Sequence, residues 1–165
     1  MRRMNDATRL PSIFSSGNVA LVTGAASGIG LAAARRFAGL GMKLMMVDLG
    51  GPALERAKAE VSENAQSEVL AVATDVSQFA ELQRLHSEVA QRFGTVSVLM
   101  NNAGIGNNPG LPWENGEAWQ KLTDVNLWGV VHGVQAFLPS MLASDQPGLV
   151  INTGSKQGIT SPPGN

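Results

Sequence analysis

Short unbroken apolar runs alternate with stretches whose apolar residues fall at helical spacing, and this alternation organises the whole chain. The runs are Val19 to Thr23, Leu44 to Val47 ending on Asp48, Glu68 to Thr74, Val96 to Met100, and Gly148 to Asn152. A run that is apolar at consecutive positions has both faces covered, as in a parallel sheet. Between the runs, Ile29, Ala33, Phe37 and Leu40 define one helix, and Leu54, Ala57, Val61 and Ala65 a second. Phe79, Leu82, Leu85, Val89 and Phe93 define a third. Pro52 suits the first turn of the second helix, where a missing N–H costs nothing; Ser77 suits the N-cap of the third, and Gly94 its end. Strands alternating with helices of about 12 residues predict βαβ units with right-handed crossovers, and so an α/β domain built on a doubly wound parallel sheet.

The longest helical pattern, Glu117 to Leu142, follows a polar Gly/Pro-bearing loop that starts at Ile105. Its apolar residues form two stripes, one of Trp119, Leu122, Val130 and Phe137, the other of Leu127, Val131, Leu138 and Leu142. A helix apolar on two sides must bury both, one against its own sheet and one against further protein. Either the domain sandwiches the helix or a second subunit covers it. Little chain is left for the first, so a homo-oligomer through residues 117–142 is expected. Gly129 and Gly133 permit close backbone approach, and Pro139 predicts a kink or loosening of the last turns.

Composition narrows the partners. At 165 residues the chain is the size of one domain, able to bury roughly two-thirds of its unfolded surface. Basic and acidic residues balance at 12 and 13, which gives no reason to expect nucleic acid or an anionic membrane. Cysteine is absent, which excludes disulfide and thiolate chemistry and suits a reducing, cytoplasmic setting. Arg2, Arg3 and Arg9 are not followed by the apolar run of a signal peptide, and no segment reaches the roughly 18 apolar residues of a membrane span. No metal site is expected. Residues 1–17 read as a loose arm, and residues 18–165 as one domain.

The candidate chemistry lies at the ends of the strands. After the first strand comes Gly24-Ala25-Ala26-Ser27-Gly28-Ile29-Gly30, a glycine-rich turn opening a helix. Free N–H groups and the positive helix end converge there on one spot, and glycine lets a pyrophosphate approach without a Cβ in its way. The G-x-x-x-G-x-G spacing makes the turn one residue wider than the G-x-G-x-x-G form; a plain tight turn is the alternative. Asp48 ends the second strand, 18 residues past Gly30. There its carboxylate accepts from the hydroxyls of an adenosine ribose, or else it caps the turn before Gly50. A 2′-phosphate would meet that negative charge, and Ala26, Ser27 and Leu49 offer no compensating cation, so NAD is favoured over NADP. Asp75 and the Val76 backbone follow the third strand, placed to read an adenine edge, and Asn101 ends the fourth. Gly, Asp, Asp and Asn thus finish four consecutive strands on the edge where open α/β sheets bind ligands.

These segments resemble the short-chain dehydrogenase/reductase family. Thr23 to Gly30 matches its T-G-x-x-x-G-I-G motif, Asp75-Val76 its adenine-site pair, and Asn101-Asn102-Ala103-Gly104 its N-N-A-G motif. Asp124-Val125-Asn126-Leu127 is similar to the helix segment bearing a catalytic asparagine, and Ile151 to Ser155 to the strand leading to its catalytic serine. The resemblance implies a Rossmann-like sheet of five strands in the order 3-2-1-4-5. Gly24, Ser27, Gly28, Ile29, Gly30, Asp48, Leu49, Asp75, Val76, Asn101, Ala103 and Gly104 would form the cofactor site. It further implies hydride transfer between a nicotinamide and an alcohol or ketone. Ser155 would hydrogen-bond the substrate oxygen, and Asn126, buried mid-helix, would hold a water that relays protons. The other reading of Asn126 is a bridge between backbone groups across a helix irregularity, and that of Ser155 is an ordinary loop residue.

The family's acid/base is a tyrosine in Y-x-x-x-K, and this chain contains no tyrosine. Lys156 does not match the motif lysine, and His86 and His132 read as core or surface residues. The chain as it stands is therefore expected to bind a dinucleotide with negligible turnover, as part of a longer enzyme whose fifth strand is otherwise an open edge. A non-catalytic dinucleotide-binding module, or the partner of a complementary chain, is the rival reading. Trp113 is either a wall of the substrate pocket or a hydrophobic plug.

Overall fold

A computed structural model describes residues 11–106, 110–111 and 113–155. Five parallel strands, β1 (Val19–Thr23), β2 (Lys43–Asp48), β3 (Val69–Ala73), β4 (Val98–Asn101) and β5 (Leu149–Asn152), lie in the order β3-β2-β1-β4-β5. The Rossmann-like order implied by the sequence is therefore present. The helices are α1 (Gly28–Gly39), α2 (Pro52–Glu63), α3 (Phe79–Arg92), α4 (Gly116–Thr123) and α5 (Gly129–Ala143). Period-two alternation explains the two cores. Ala20, Val22, Leu44, Met46, Val98 and Met100 face α1 and α2, while Val19, Leu21, Met45, Val47 and Leu99 face α3 and α5. β1 and β2 are buried on both sides, which is why their sequences are continuously apolar. The registers pair Thr23 with Val47, Asp48 with Ala73 and Asn101 with Asn152, so the carboxyl ends of the strands form one edge.

Local expectations change in four places. Residues 11–17 are not a loose arm: a 3-10 turn, Ser12–Phe14, buries Ile13 and stacks Phe14 on Phe37, and the Asn18 side chain donates to the carbonyls of Ser12 and Ile13. Residues 1–10 lie outside the described residues. Gln78, not Ser77, is the N-cap of α3, because the Ser77 N–H is drawn back to the Asp75 carboxylate. Ile29 is 69% exposed, since the first turn of α1 projects past the strand tips; the buried stripe is Gly30, Ala34, Phe37 and Ala38.

The fourth is the long helix. α4 and α5 are joined by a π-helical turn, Asp124–Trp128, and Pro139 does not end α5, which runs on to Ala143. A π turn inserts an extra residue and shifts the phase of the helix on either side. No single stripe therefore crosses it: the face buried in α5 is Gly129, Gly133, Phe137 and Met141, and of the two expected stripes only Phe137 is fully buried. Leu127, Trp128 and Leu142 stay exposed at 57%, 46% and 75%.

Candidate active site

The edge formed by the strand ends opens into a cavity of about 550 Å³. Gly24 follows β1 at its floor, Asp48 and Leu49 leave β2, Thr74 to Ser77 leave β3, and Ala103 to Ile105 follow β4. The far wall comes from α4 and the π turn through Gln120, Lys121, Asp124 and Val125.

The glycine turn is built by contacts that only glycine allows. A Cβ at Gly24 would lie 2.8 Å from the Cα of Ala103, and one at Gly30 would lie 2.1 Å from the carbonyl oxygen of Gly24. The turn is thus folded onto the loop after β4. Thr23 locks the two together: its Oγ1 accepts from the N–H of Asn102 at 2.9 Å and of Ala103 at 3.0 Å, and Asn102 Nδ2 donates to the Thr23 carbonyl at 3.1 Å. Neither Thr23 nor Asn102 was singled out as a site residue. The signal was a hydroxyl at the end of an otherwise apolar strand. Ser27 stands at the N-cap of α1 without a side-chain capping bond, so it leaves the first N–H groups of α1 uncapped.

Asp48 lies against that turn. Its Oδ2 accepts from the Ala26 N–H at 2.9 Å and its Oδ1 from the Leu49 N–H at 2.8 Å. A carboxylate has about four lone-pair sites, so each oxygen keeps one for a ligand hydroxyl. On the next strand, Asp75 Oδ1 accepts from Ser77 N–H at 2.9 Å, and the Asp75 N–H donates to Glu81 Oε2 at 2.6 Å. Glu117 and Asp124 also line the cavity, so that among the described residues Lys121 faces four carboxylates there. Such a wall suits hydroxyl and amino donors better than a further anion.

Asn101 is not brought to the cavity. It shares the face of Leu99, toward α5, and is 2% exposed; its Nδ2 donates to Asn152 Oδ1 at 2.9 Å and its Oδ1 lies against Gly133, where a Cβ would stand 2.1 Å away. Its backbone carbonyl accepts from the Thr153 N–H at 3.0 Å, tying β4 to the segment that leads to Ser155. Ser155 is exposed beyond β5.

Asn126 is exposed, not buried among apolar neighbours as expected, because it sits on the π turn at the cavity's rim. Its Oδ1 accepts from the Ile105 N–H at 2.8 Å and its Nδ2 donates to the Ile105 carbonyl at 2.9 Å. It sits on a helix irregularity, and both of its bonds go to one residue of the loop after β4. His86 pairs with Ser140 between α3 and α5, and His132 Nδ1 lies 3.0 Å from the Val76 carbonyl. Trp113 is 79% exposed and lines no wall of this cavity. Lys156 lies outside the described residues. Among the described residues no three His, Asp or Glu side chains gather as a cation site, and no helix is long and apolar enough to cross a membrane.

Comparison with known proteins is consistent across sequence and fold. The family model described as short chain dehydrogenase matches residues 18–165. The chain is 36% identical over 140 residues to 1-deoxy-11-beta-hydroxypentalenate dehydrogenase of Streptomyces avermitilis, covering 84% of this chain and 52% of that protein. A short chain dehydrogenase/reductase from Burkholderia phymatum, solved in complex with NAD, superposes with a TM-score of 0.85 at 40% identity, over 91% of this chain and 53% of that one. A metagenomic short-chain oxidoreductase solved in complex with NADP gives 0.78 at 32% identity, over 86% and 64%. The chain thus spans about half the length of the curated relatives it matches.

Proposed function

Because the chain belongs to the short-chain dehydrogenase family, an oxidoreductase family, we propose that its cavity holds the adenosine half of NAD(H) and that the protein transfers hydride between the nicotinamide and a small alcohol or ketone. The observation that carries this reading is the bond from the Ala26 N–H to Asp48 Oδ2, which sets a carboxylate beside the glycine turn. There the free lone pairs accept from the two ribose hydroxyls, and a 2′-phosphate is repelled with no basic side chain at Ala26, Ser27 or Leu49 to offset it. The site residues fit the group: Gly24 and Gly30 let the turn close tightly on itself and on the loop after β4, and the first turn of α1, without a side-chain cap from Ser27, supplies N–H donors for a pyrophosphate. When bound, the dinucleotide supplies or accepts the hydride. The chain's own residues bind and orient. Asp48 selects the ribose, Asp75 and Val76 the adenine edge, Asn126 holds the Ile105 backbone at the cavity's rim, and Ser155 donates to the substrate oxygen.

These 165 residues contain no tyrosine to act as general acid/base, a role worth about 10²–10⁴-fold. On their own they are a dinucleotide-binding module with negligible turnover, and that absence is what favours the module as a second reading. Calorimetric titration with NADH and NADPH tests the first: saturable binding with NADH the tighter is expected, and no saturable heat with either overturns it. An alcohol-dependent rise in NADH absorbance from these residues alone would exclude the module.

A further inference from the structure

The segment after β3 has its polar atoms assigned almost completely by the chain itself. Asp75 N–H donates to Glu81, the Asp75 carbonyl accepts from the Gln78 N–H at 3.0 Å, and Asp75 Oδ1 accepts from the Ser77 N–H. The Val76 carbonyl meets His132 Nδ1 at 3.0 Å. A carbonyl only accepts, so the ring nitrogen facing it carries the hydrogen. Among the described residues two polar groups of Asp75 and Val76 are left without a protein partner, the Val76 N–H and Asp75 Oδ2, and both residues line the cavity. One donor beside one acceptor is the complement of a 6-aminopurine edge, whose ring nitrogen accepts while its amino group donates.

We propose that His132 is a positioning residue for adenine: by holding the Val76 carbonyl it aims Asp75 Oδ2 and the Val76 N–H at the purine, so that it sets the preference for a 6-amino over a 6-oxo base. The inference rests on the dinucleotide reading above. The linkage is short. The peptide plane between Val76 and Ser77 carries the carbonyl that His132 holds and the N–H that grips Asp75 Oδ1. Releasing the carbonyl lets that plane turn, and the carboxylate turns with it. The imidazole is itself fixed, with the Phe79 ring 5.5 Å away and the Trp128 ring 5.9 Å away. One turn earlier on α5, Gly129 makes room for the Val76 side chain: a Cβ there would stand 2.8 Å from Val76 Cγ2. α5 thus supports the Val76 backbone and side chain together.

The test compares NADH with reduced nicotinamide hypoxanthine dinucleotide by calorimetry on the full-length protein. The wild type should bind the adenine form at least roughly tenfold tighter, because hypoxanthine turns N1–H toward the Val76 N–H and O6 toward Asp75 Oδ2, so that both hydrogen bonds are lost. His132→Leu should bring the ratio toward one, and His132→Asn, whose amide N–H takes the place of Nδ1–H, should restore it. Equal weakening of both dinucleotides in His132→Leu, or an unchanged ratio, would overturn the proposal while leaving the dinucleotide reading intact. A wild type that binds neither would overturn both. Should His132→Leu fail to fold, the ¹⁵N spectrum of the wild-type ring decides: a hydrogen on Nδ1 is expected, and a bare Nδ1 rules the proposal out.

Discussion

Asn126 and Ile105 are joined by a reciprocal pair of hydrogen bonds, with the asparagine amide accepting from the Ile105 N–H at 2.8 Å and donating to its carbonyl at 2.9 Å. An amide side chain mimics a backbone peptide group, so the pair works like one rung of a ladder between the π turn and the loop after β4. An asparagine is unfavourable in a helix interior because it competes for backbone partners. Here the partner it finds belongs to another segment, at the point where the helix departs from α geometry.

Asn126→Ala should release that loop. Both bonds are near solvent, so the loss of stability should be modest, about 1 kcal/mol. Hydrogen exchange at the Ile105 amide should quicken far more than in the sheet, and NADH binding should weaken with it. Asn126→Asp keeps the accepting oxygen but sets a second one against the Ile105 carbonyl, and should lose at least as much. An unchanged Ile105 exchange rate in both variants would show that the pair does not hold the loop.

Glycines of different surroundings should respond to alanine in a graded way. At Gly133 and Gly30 the new Cβ would stand 2.1 Å from Asn101 Oδ1 and from the Gly24 carbonyl oxygen. The first neighbour is held by Asn152 and the second is backbone, so neither yields cheaply. Each change should cost about 3 kcal/mol or prevent soluble expression. Gly39→Ala meets nothing within 4 Å and sits in the last turn of α1, so it should be neutral or stabilising by up to about 1 kcal/mol. Urea midpoints for the three variants would check the order.

Much of this was legible in the sequence, and the exceptions share a cause. The strands of the central sheet were plain because burial on both faces makes an apolar run, and Asp48 was plain because it ends one. Asn101 ends β4 as expected, but, two residues after Leu99 and on the same face, its side chain is buried toward α5 and not turned into the cavity. The π turn left no mark in the apolar pattern except a stripe that failed to continue, and its explanation is a bond to a loop 21 residues away. The docking of Phe14 on Phe37 likewise depends on a partner distant in sequence. Local periodicity reports burial well and the source of a distant partner poorly.

Replacing Asp48 should alter the choice of cofactor. Asp48→Asn keeps acceptor oxygen for the Ala26 N–H but removes the negative charge, while Asp48→Ala removes both. NADH affinity should fall by roughly tenfold in Asp48→Ala, the scale of one or two lost hydrogen bonds to a charged group. NADPH affinity should rise in both variants, because the repulsion of a 2′-phosphate is gone. Titrations of both cofactors against each variant measure the ratio. If NADPH binding to Asp48→Asn were no better than to the wild type, the charge at this position would not be the source of discrimination.

The outer side of the long helix should mediate association between two copies of the chain. Leu127 and Trp128 on the π turn and Leu142 near the end of α5 are exposed, about 20 Å apart along the helix at 1.5 Å of rise per residue. Large apolar side chains at this exposure cost solvation free energy that a second copy removes for both partners at once, and a symmetric pairing needs only one such surface. Light scattering behind size exclusion should show a dimer or larger at micromolar concentration, and Leu127→Glu with Leu142→Glu should drive it to monomer. Neither substitution touches the buried face of Gly129, Gly133, Phe137 and Met141, so the thermal midpoint of the dissociated variant should report the monomer's own stability. A wild type that is monomeric under these conditions would leave these side chains without a role in assembly.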